Sequence, residues 1–430
     1  MNQALTLPSL LNEIGIFIAI PILVIIAWNL WLSYLQTVFL NGLKWSLIEI
    51  KPPRDVFKSP LAMELVLNSL YAGAQGGDWL TKYWKGEVSL WNSLEIVSIE
   101  GQVRFFIRTP EKFKKMVEAQ IYAQYPQAEV FEATDYTGAV PAYTKDSKYN
   151  IWACNFVLSK DDVYPIKSYI DYGLDKSVGL LKDEQQIDPI TPMMEFLGSL
   201  NIGEQVWIQI LVRPDTKRFS VKTKKKNSAG VEEVIVESGK DWKEKAKEAI
   251  KDFREKIKEK DSDGKVILTP LSRGQIGVIE SIERHASKFG FDAFIRALYI
   301  ADKDSFNAAT RAPSLIGSFR QYASSDLNGF KPDKATKIDF PWQDIFGTKL
   351  IKMKSDYLKG YKGRGFFYGG FDFKKLSKYF THPNKSGGKP YILSTEELAT
   401  IFHLPGRVSE TPTVTRIEAK KSEPPANLPI

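Results

Sequence analysis

Between Lys349 and Phe380, nine basic residues are interleaved with nine aromatic ones, against only two carboxylates, Asp356 and Asp372. Lysines that follow a phosphate backbone, beside rings that stack on bases, are what single-strand nucleic-acid binding needs. The candidate contacts are Lys359, Lys362, Arg364, Lys374, Lys375, Lys378, Tyr361 and Phe367. The same rings also suit a core whose outer face carries the lysines, and anionic lipid would attract the region if it faced a bilayer. A second basic run, Lys217, Arg218, Lys222, Lys224, Lys225 and Lys226, reads as a solvated hairpin.

The signatures of catalysis are missing. The pairs Gly239-Lys240, Gly264-Lys265 and Gly388-Lys389 lack both the upstream glycine and the following Ser or Thr of a phosphate-binding loop. There is no nucleophile-elbow serine, no HExxH and no CxxC. Cys154 is the only cysteine, so no disulfide can form within the chain and a reducing compartment is favoured. The histidines, His285, His382 and His403, lie far apart in sequence. No cofactor, no metal and no enzymatic activity are expected. A net charge of +8 over 430 residues is compatible with an anionic partner without demanding one.

The elements that must position these residues begin with a membrane segment. From Ile14 to Leu43 no residue is charged, and IGIFIAIPILVIIAWNLWL, Ile14 to Leu32, is the densest part. As a helix those residues span about 28 Å, close to a bilayer's hydrocarbon thickness. Ile14, Ile20 and Ile26 would face lipid, and Trp28, Trp31 and Tyr34 suit the headgroup layer. Lys44, Lys51, Arg54 and Lys58 follow at once and nothing positive precedes, which puts the bulk of the chain in the cytoplasm. A cleaved signal peptide would want basic residues before the run, and the only charge there is Glu13.

The expected fold is α+β: a transmembrane anchor over 1–43, then two ferredoxin-like βαββαβ modules over 44–148 and 149–392. In the first, WSLIEIK, a helix from Ser59-Pro60 with Met63, Val66, Leu67 and Leu70 on one face, a hairpin at Gly101, a helix with Val117 and Ile121, and AEVFEAT follow one another. In the second, IWACNFVLS, ITPMMEFLGSL, EQVWIQILV, FDAFIRALYI and a helical region near Pro313 repeat that order. An insertion over 214–290 interrupts it, with a β-hairpin and a helical hairpin whose stripes, Trp242, Ala246, Phe253 and Ile279, Ile282, Ala286, cover each other. Residues 393–430 read as a short capped helix and an extended Pro-rich tail.

LSTEELATIFHLPG (Leu393 to Gly406), followed by TPTVTRIEAKKSEPPANLP, resembles the segment directly before the motor domain of membrane-linked DNA-transfer ATPases of conjugative type IV secretion. MVEAQIYAQYPQAEV and IGSFRQYASSDLNGFK resemble the amino-terminal region of the same proteins. The family's nucleotide-binding domain would come next, but the chain stops at Ile430. The expectation is either a split system with the motor on a separate polypeptide, or a truncated gene. The resemblance implies a homo-oligomeric scaffold of a bacterial inner membrane, in contact with membrane lipid, docking a hexameric P-loop ATPase. Glu397, Leu398, Phe402, His403 and Leu404 would be the docking residues. A membrane-tethered protein that binds single-stranded nucleic acid, with DNA as partner, is the alternative.

Overall fold

The structure, a computed structural model, describes residues 7–52, 58–73, 78–175, 187–215, 219–226, 232–256, 259–260, 266–267, 271–338, 340–368 and 389–406. It divides into two units. One comprises residues 1–44, 75–90 and 367–387, the other 45–74, 91–366 and 388–430.

The first unit is built on α1 (Leu7–Asn41), which carries Ile14 and continues through Pro21. Ile20, Leu23, Val24, Ile25, Trp28 and Trp31 are half or more exposed, and Ile26 is partly so. Water penalises such a surface, whereas a bilayer favours it. Two polar side chains on α1 bond within the helix: Asn29 donates to the Ile25 carbonyl at 2.7 Å and Thr37 to that of Ser33 at 2.8 Å. Such i−4 bonds remove the cost of a polar group in lipid. Residues Ile20–Asn41 are long and apolar enough to cross a membrane. The short α3 (Trp79–Trp84) also belongs to this unit.

The second unit is one nine-stranded antiparallel sheet with helices on it. Its first half runs β1 (Trp45–Lys51), α2 (Leu61–Gly73), β2 (Asn92–Ile99), β3 (Gln102–Pro110), α4 (Lys114–Gln124) and β4 (Glu129–Glu132). The second runs β5 (Tyr149–Leu158), α5 (Thr191–Gly198), β6 (Glu204–Pro214), β11 (Gly290–Asp302), α8 (Ala308–Gly317) and β12 (Phe330–Asp333). Strands lie in the order β12-β5-β11-β6-β2-β3-β1-β4. Each half therefore places its own first strand between its fourth and third, with its second outermost. The two second strands, β2 and β6, pair from Asn92↔Val212 to Ile99↔Gln205 and join the halves.

Side-chain alternation sorts the sheet into two faces. Ile48, Leu94, Ile96, Phe105, Ile208, Ile210, Ile295 and Ala297 face one core, to which α2, α4, α5 and α8 contribute Val66, Ile121, Met194 and Leu315. Because this core spans both halves, the boundary near 148 is one of chain order, not a gap in packing. Val97, Phe106, Trp207 and Leu298 face the other side, under Leu358 and Tyr361 of α9 (Thr348–Gly363).

Between β6 and β11 lie a hairpin of β7 (Phe219–Lys226) and β8 (Glu232–Lys240), α6 (Trp242–Lys256), the two-residue strands β9 (Glu259–Lys260) and β10 (Val266–Ile267), and α7 (Arg273–Ser287). Trp242, Ala246, Ile250, Ile279 and Ile282 pack as one small cluster, so the helical stripes do cover each other, and Val163 and Ile392 join them. The second of these helices ends at Ser287, and Gly290 pairs with Ser394 as the first residue of β11. Finally β13 (Tyr391–Ser394) pairs with the start of β11, directly followed by α10 (Thr395–Ile401).

Candidate functional site

A row rich in polar residues crosses the α9 face of the sheet. Strand register aligns Glu49, Phe106, Glu95, Gln209, Arg296 and Asn155 on β1, β3, β2, β6, β11 and β5. Glu95 and Gln209 are fully buried at the seam between the halves. Glu95 is met by Arg364, just past α9, through Nε–Oε1 at 2.6 Å and Nη2–Oε2 at 3.2 Å. Ser93 Oγ, Tyr136 OH and Gln209 Nε2 also donate to it, at 2.6, 2.7 and 3.1 Å.

Arg364 spans a second carboxylate, Asp135, at 2.7 and 3.1 Å, and its carbonyl accepts from Trp91 Nε1 at 2.7 Å. Burial opposes the charge of Arg364, but Glu95 and Asp135 outweigh it and hold the guanidinium protonated. Burial also acts against the Asp135 carboxylate, and the Arg364 fork overrides it, bringing its pKa down to about 2. Burial, with Glu95 beside them, pushes the Tyr136 and Tyr361 hydroxyls well up. These groups are committed to one another. Chemically the cluster is a clamp that ties the end of α9 to the seam.

A second cluster holds the C-terminal elements. Ser394 and Glu397 form the expected capping box at the start of α10. Every residue from Thr395 to Ile401 is buried. Glu396 accepts from Ser168 Oγ at 2.6 Å and Arg284 Nε at 3.1 Å, and lies 3.3 Å from His285 Nε2. His285 Nδ1 meets Ser394 Oγ at 2.6 Å. Burial works against a charged His285, yet Glu397 and Glu396 raise its pKa to about 9. Burial likewise opposes the Glu396 carboxylate, and His285, Ser168 and Arg284 bring it down to about 2. His403 Nε2 pairs with Asp188 at 2.9 Å.

The family model described as a domain of unknown function, DUF8128, matches residues 36–348, more than two thirds of the chain. The chain belongs to this family. No curated protein matches it. The DUF8128 match starts within α1 and ends on the first residue of α9. It contains all eight strands of the continuous strand order, with Glu95, Asp135 and His285, while Arg364 and the β13–α10 elements that engage them lie beyond it.

Within this DUF8128 protein the sequence-derived candidates fall out as follows. Arg364 and Tyr361 are buried in the clamp, and Lys362 donates to the Val140 carbonyl. Lys359 is exposed and Phe367 half-buried. Lys374, Lys375 and Lys378 lie outside the described residues. Arg364 and Tyr361 are therefore no open binding surface: Arg364 neutralises Glu95 in the interior, and the Tyr361 hydroxyl meets that of Tyr136 at 2.8 Å. The docking candidates need the same correction: Glu397, Leu398, Phe402, His403 and Leu404 are all at most 4% exposed. Their apolar members fill the core beside α2, with Phe402 edge-on to Phe105, so α10 is an internal element of the sheet unit.

Among the described residues no group of three His, Cys, Asp or Glu is placed to hold a metal ion. Burial pushes the Cys154 thiol up, which leaves it unreactive. Glu95, Asp135, Tyr136 and Gln209 were not singled out in the sequence, and His285 was noted only as a histidine far from the others. The available signal was a lone carboxylate in SLEIVSI, Glu95, and a lone amide in VWIQILV, Gln209.

Proposed function

We propose that the protein is a membrane-anchored, non-catalytic scaffold of the cytoplasmic face of a type IV secretion-like DNA-transfer machine, working with a separate P-loop ATPase. The observation that carries the anchoring part is α1: an apolar helix with outward side chains, joined by three residues to a rigid sheet. The strand order of each half, fourth-first-third-second with helices after the first and third strands, supports reading both as ferredoxin-like units fused through their second strands. The DNA-transfer assignment rests on the likeness of Leu393–Gly406 and of the two amino-terminal strings. Homo-oligomerisation and the motor partner come with that assignment.

With α10 buried, docking of a motor falls to exposed surfaces. The test is purification of the full chain from membranes. Retention in the membrane after alkaline extraction, a C-terminal reporter active only in the cytoplasm, and co-purification of a polypeptide with a GxxxxGK[ST] loop are expected. Release by alkali, or ATP hydrolysis by the purified chain alone, would refute the reading.

A further inference from the structure

The first unit contains a feature that a simple anchor does not need. Helix α3 has no buried residue, and Trp79, Leu80 and Trp84 are 71%, 59% and 79% exposed. Two tryptophans and a leucine turned outward on six residues are costly in water.

Their position is set by α1. The Tyr83 ring lies 6.2 Å from that of Trp28. Two residues past α3, Gly86 adopts φ +68°, and a Cβ there would stand 2.4 Å from the Leu35 backbone carbon. Only glycine lets the two backbones approach so closely. The contact fixes the level of α3 along α1: Leu35 is about 9 Å and Trp28 about 20 Å from the end of the helix at Asn41, at 1.5 Å per residue. With the bilayer over Ile14 to Leu32, the densest apolar stretch, that is the level of Trp28, Trp31 and Tyr34 at its C-terminal end, themselves about half exposed. A bilayer crossed by α1 must therefore receive whatever lies against α1 there.

Resting on the anchor reading, we propose that α3 is a lipid-contacting segment: Trp79, Leu80 and Trp84 sit in the interfacial layer of the leaflet reached by the C-terminal end of α1. With Trp28, Trp31 and Tyr34 they form one aromatic girdle, the arrangement that amphipathic rings favour at the headgroup boundary. Lys82 and Lys85, both exposed, flank the tryptophans and can reach toward headgroups. The girdle would fix the depth and rotation of α1, which a single uniformly apolar helix does not fix by itself.

The test uses the full chain in phosphatidylcholine–phosphatidylglycerol vesicles, with bimane attached at Trp84→Cys or, separately, at Trp79→Cys. Native Cys154 is fully buried and stays unlabelled. Ile20→Cys, also labelled, reports on α1. Quencher lipids carry a nitroxide either near the headgroup or deep in the acyl chain. Expected is roughly two-fold stronger quenching of the α3 labels by the shallow nitroxide than by the deep one, with the reverse at Ile20. Quenching at Ile20 with α3 labels open to aqueous iodide overturns this inference and leaves the anchor standing. Iodide protection of the α3 labels without lipid quenching also overturns it, since protein then covers them. No lipid quenching at any site removes the anchor reading itself.

Discussion

Arg364 and Glu95 provide the sharpest test of how the sheet unit is held. The perturbation is Arg364→Gln, which removes the charge and leaves a shorter polar side chain. Arg364 has φ +47°, so glycine would relieve backbone strain and mask part of the loss, whereas glutamine leaves that strain in place. Asp135 is half exposed and rehydrates once its partner is gone, so its share is about 1 kcal/mol or less. Glu95 cannot rehydrate. It keeps Ser93, Tyr136 and Gln209 as donors and the more distant charges of Arg108 and Arg296, but loses its only salt bridge among the described residues. Stranding one member of a buried ion pair costs about 3–5 kcal/mol. The double variant Glu95→Gln/Arg364→Gln removes the buried charge as well and should recover about half of that. The assay is urea unfolding of the detergent-solubilised chain by near-ultraviolet circular dichroism, which senses Trp91 and Trp207 in the clamp. A single variant within about 0.5 kcal/mol of the parent, the scatter of ordinary surface substitutions, refutes the reasoning.

His285 gives a pH signature. Its pKa is raised from the ordinary 6.5 to about 9, so its stabilisation is complete below pH 6.5 and lost as pH rises through 9. The full amount is about 3 kcal/mol, and His285→Gln should flatten the fall in melting temperature across that alkaline window. At Gly290 an added Cβ would stand 2.1 Å from Trp242 Nε1, so Gly290→Ala pushes α6 off the start of β11. The expected cost is about 1–3 kcal/mol, with faster amide exchange in α6 and α7 than in β2 and β6. Lys359→Ala should leave single-stranded DNA affinity at low salt within about two-fold, while a loss that also lowers the salt slope by about one would favour a nucleic-acid role.

Much of the sheet unit was legible because its elements carry their own periods. Met63, Val66, Leu67 and Leu70 at helical spacing, and the capping box of Ser394 and Glu397, are local signals. The seam was not. NSLEIVSI and EQVWIQILVRP are buried on both faces, so each reads as an apolar run with no mark of its partner. The fate of α10 was hidden for a different reason. Thr395, Glu396 and Glu397 look solvent-facing, and partners more than a hundred residues away, among them Ser168, Arg284, His285, Ile166 and Glu64, make their burial affordable. Helix α3 escaped because six residues are too few for a helical period to register.

The outer strands limit how copies of this protein can meet. An open sheet invites another copy to add a strand at either edge. The continuous strand order ends in β4 and β12, each four residues long, while β13, which pairs only with β11, is buried along its length. On β4, Glu129 and Glu132 are exposed, and Lys114 closes over Glu132 at 2.5 Å. On β12, exposed Lys331 is followed by Pro332, which has no N–H to donate. Short length, charge and proline each weaken an incoming strand, and the edges combine them. A homo-oligomer of the kind proposed is therefore joined through side-chain surfaces or through the membrane unit. Backbone amides of β4 and β12 should then exchange with solvent at the same rate in the assembled and the dispersed protein, and protection of either edge on assembly would contradict that conclusion.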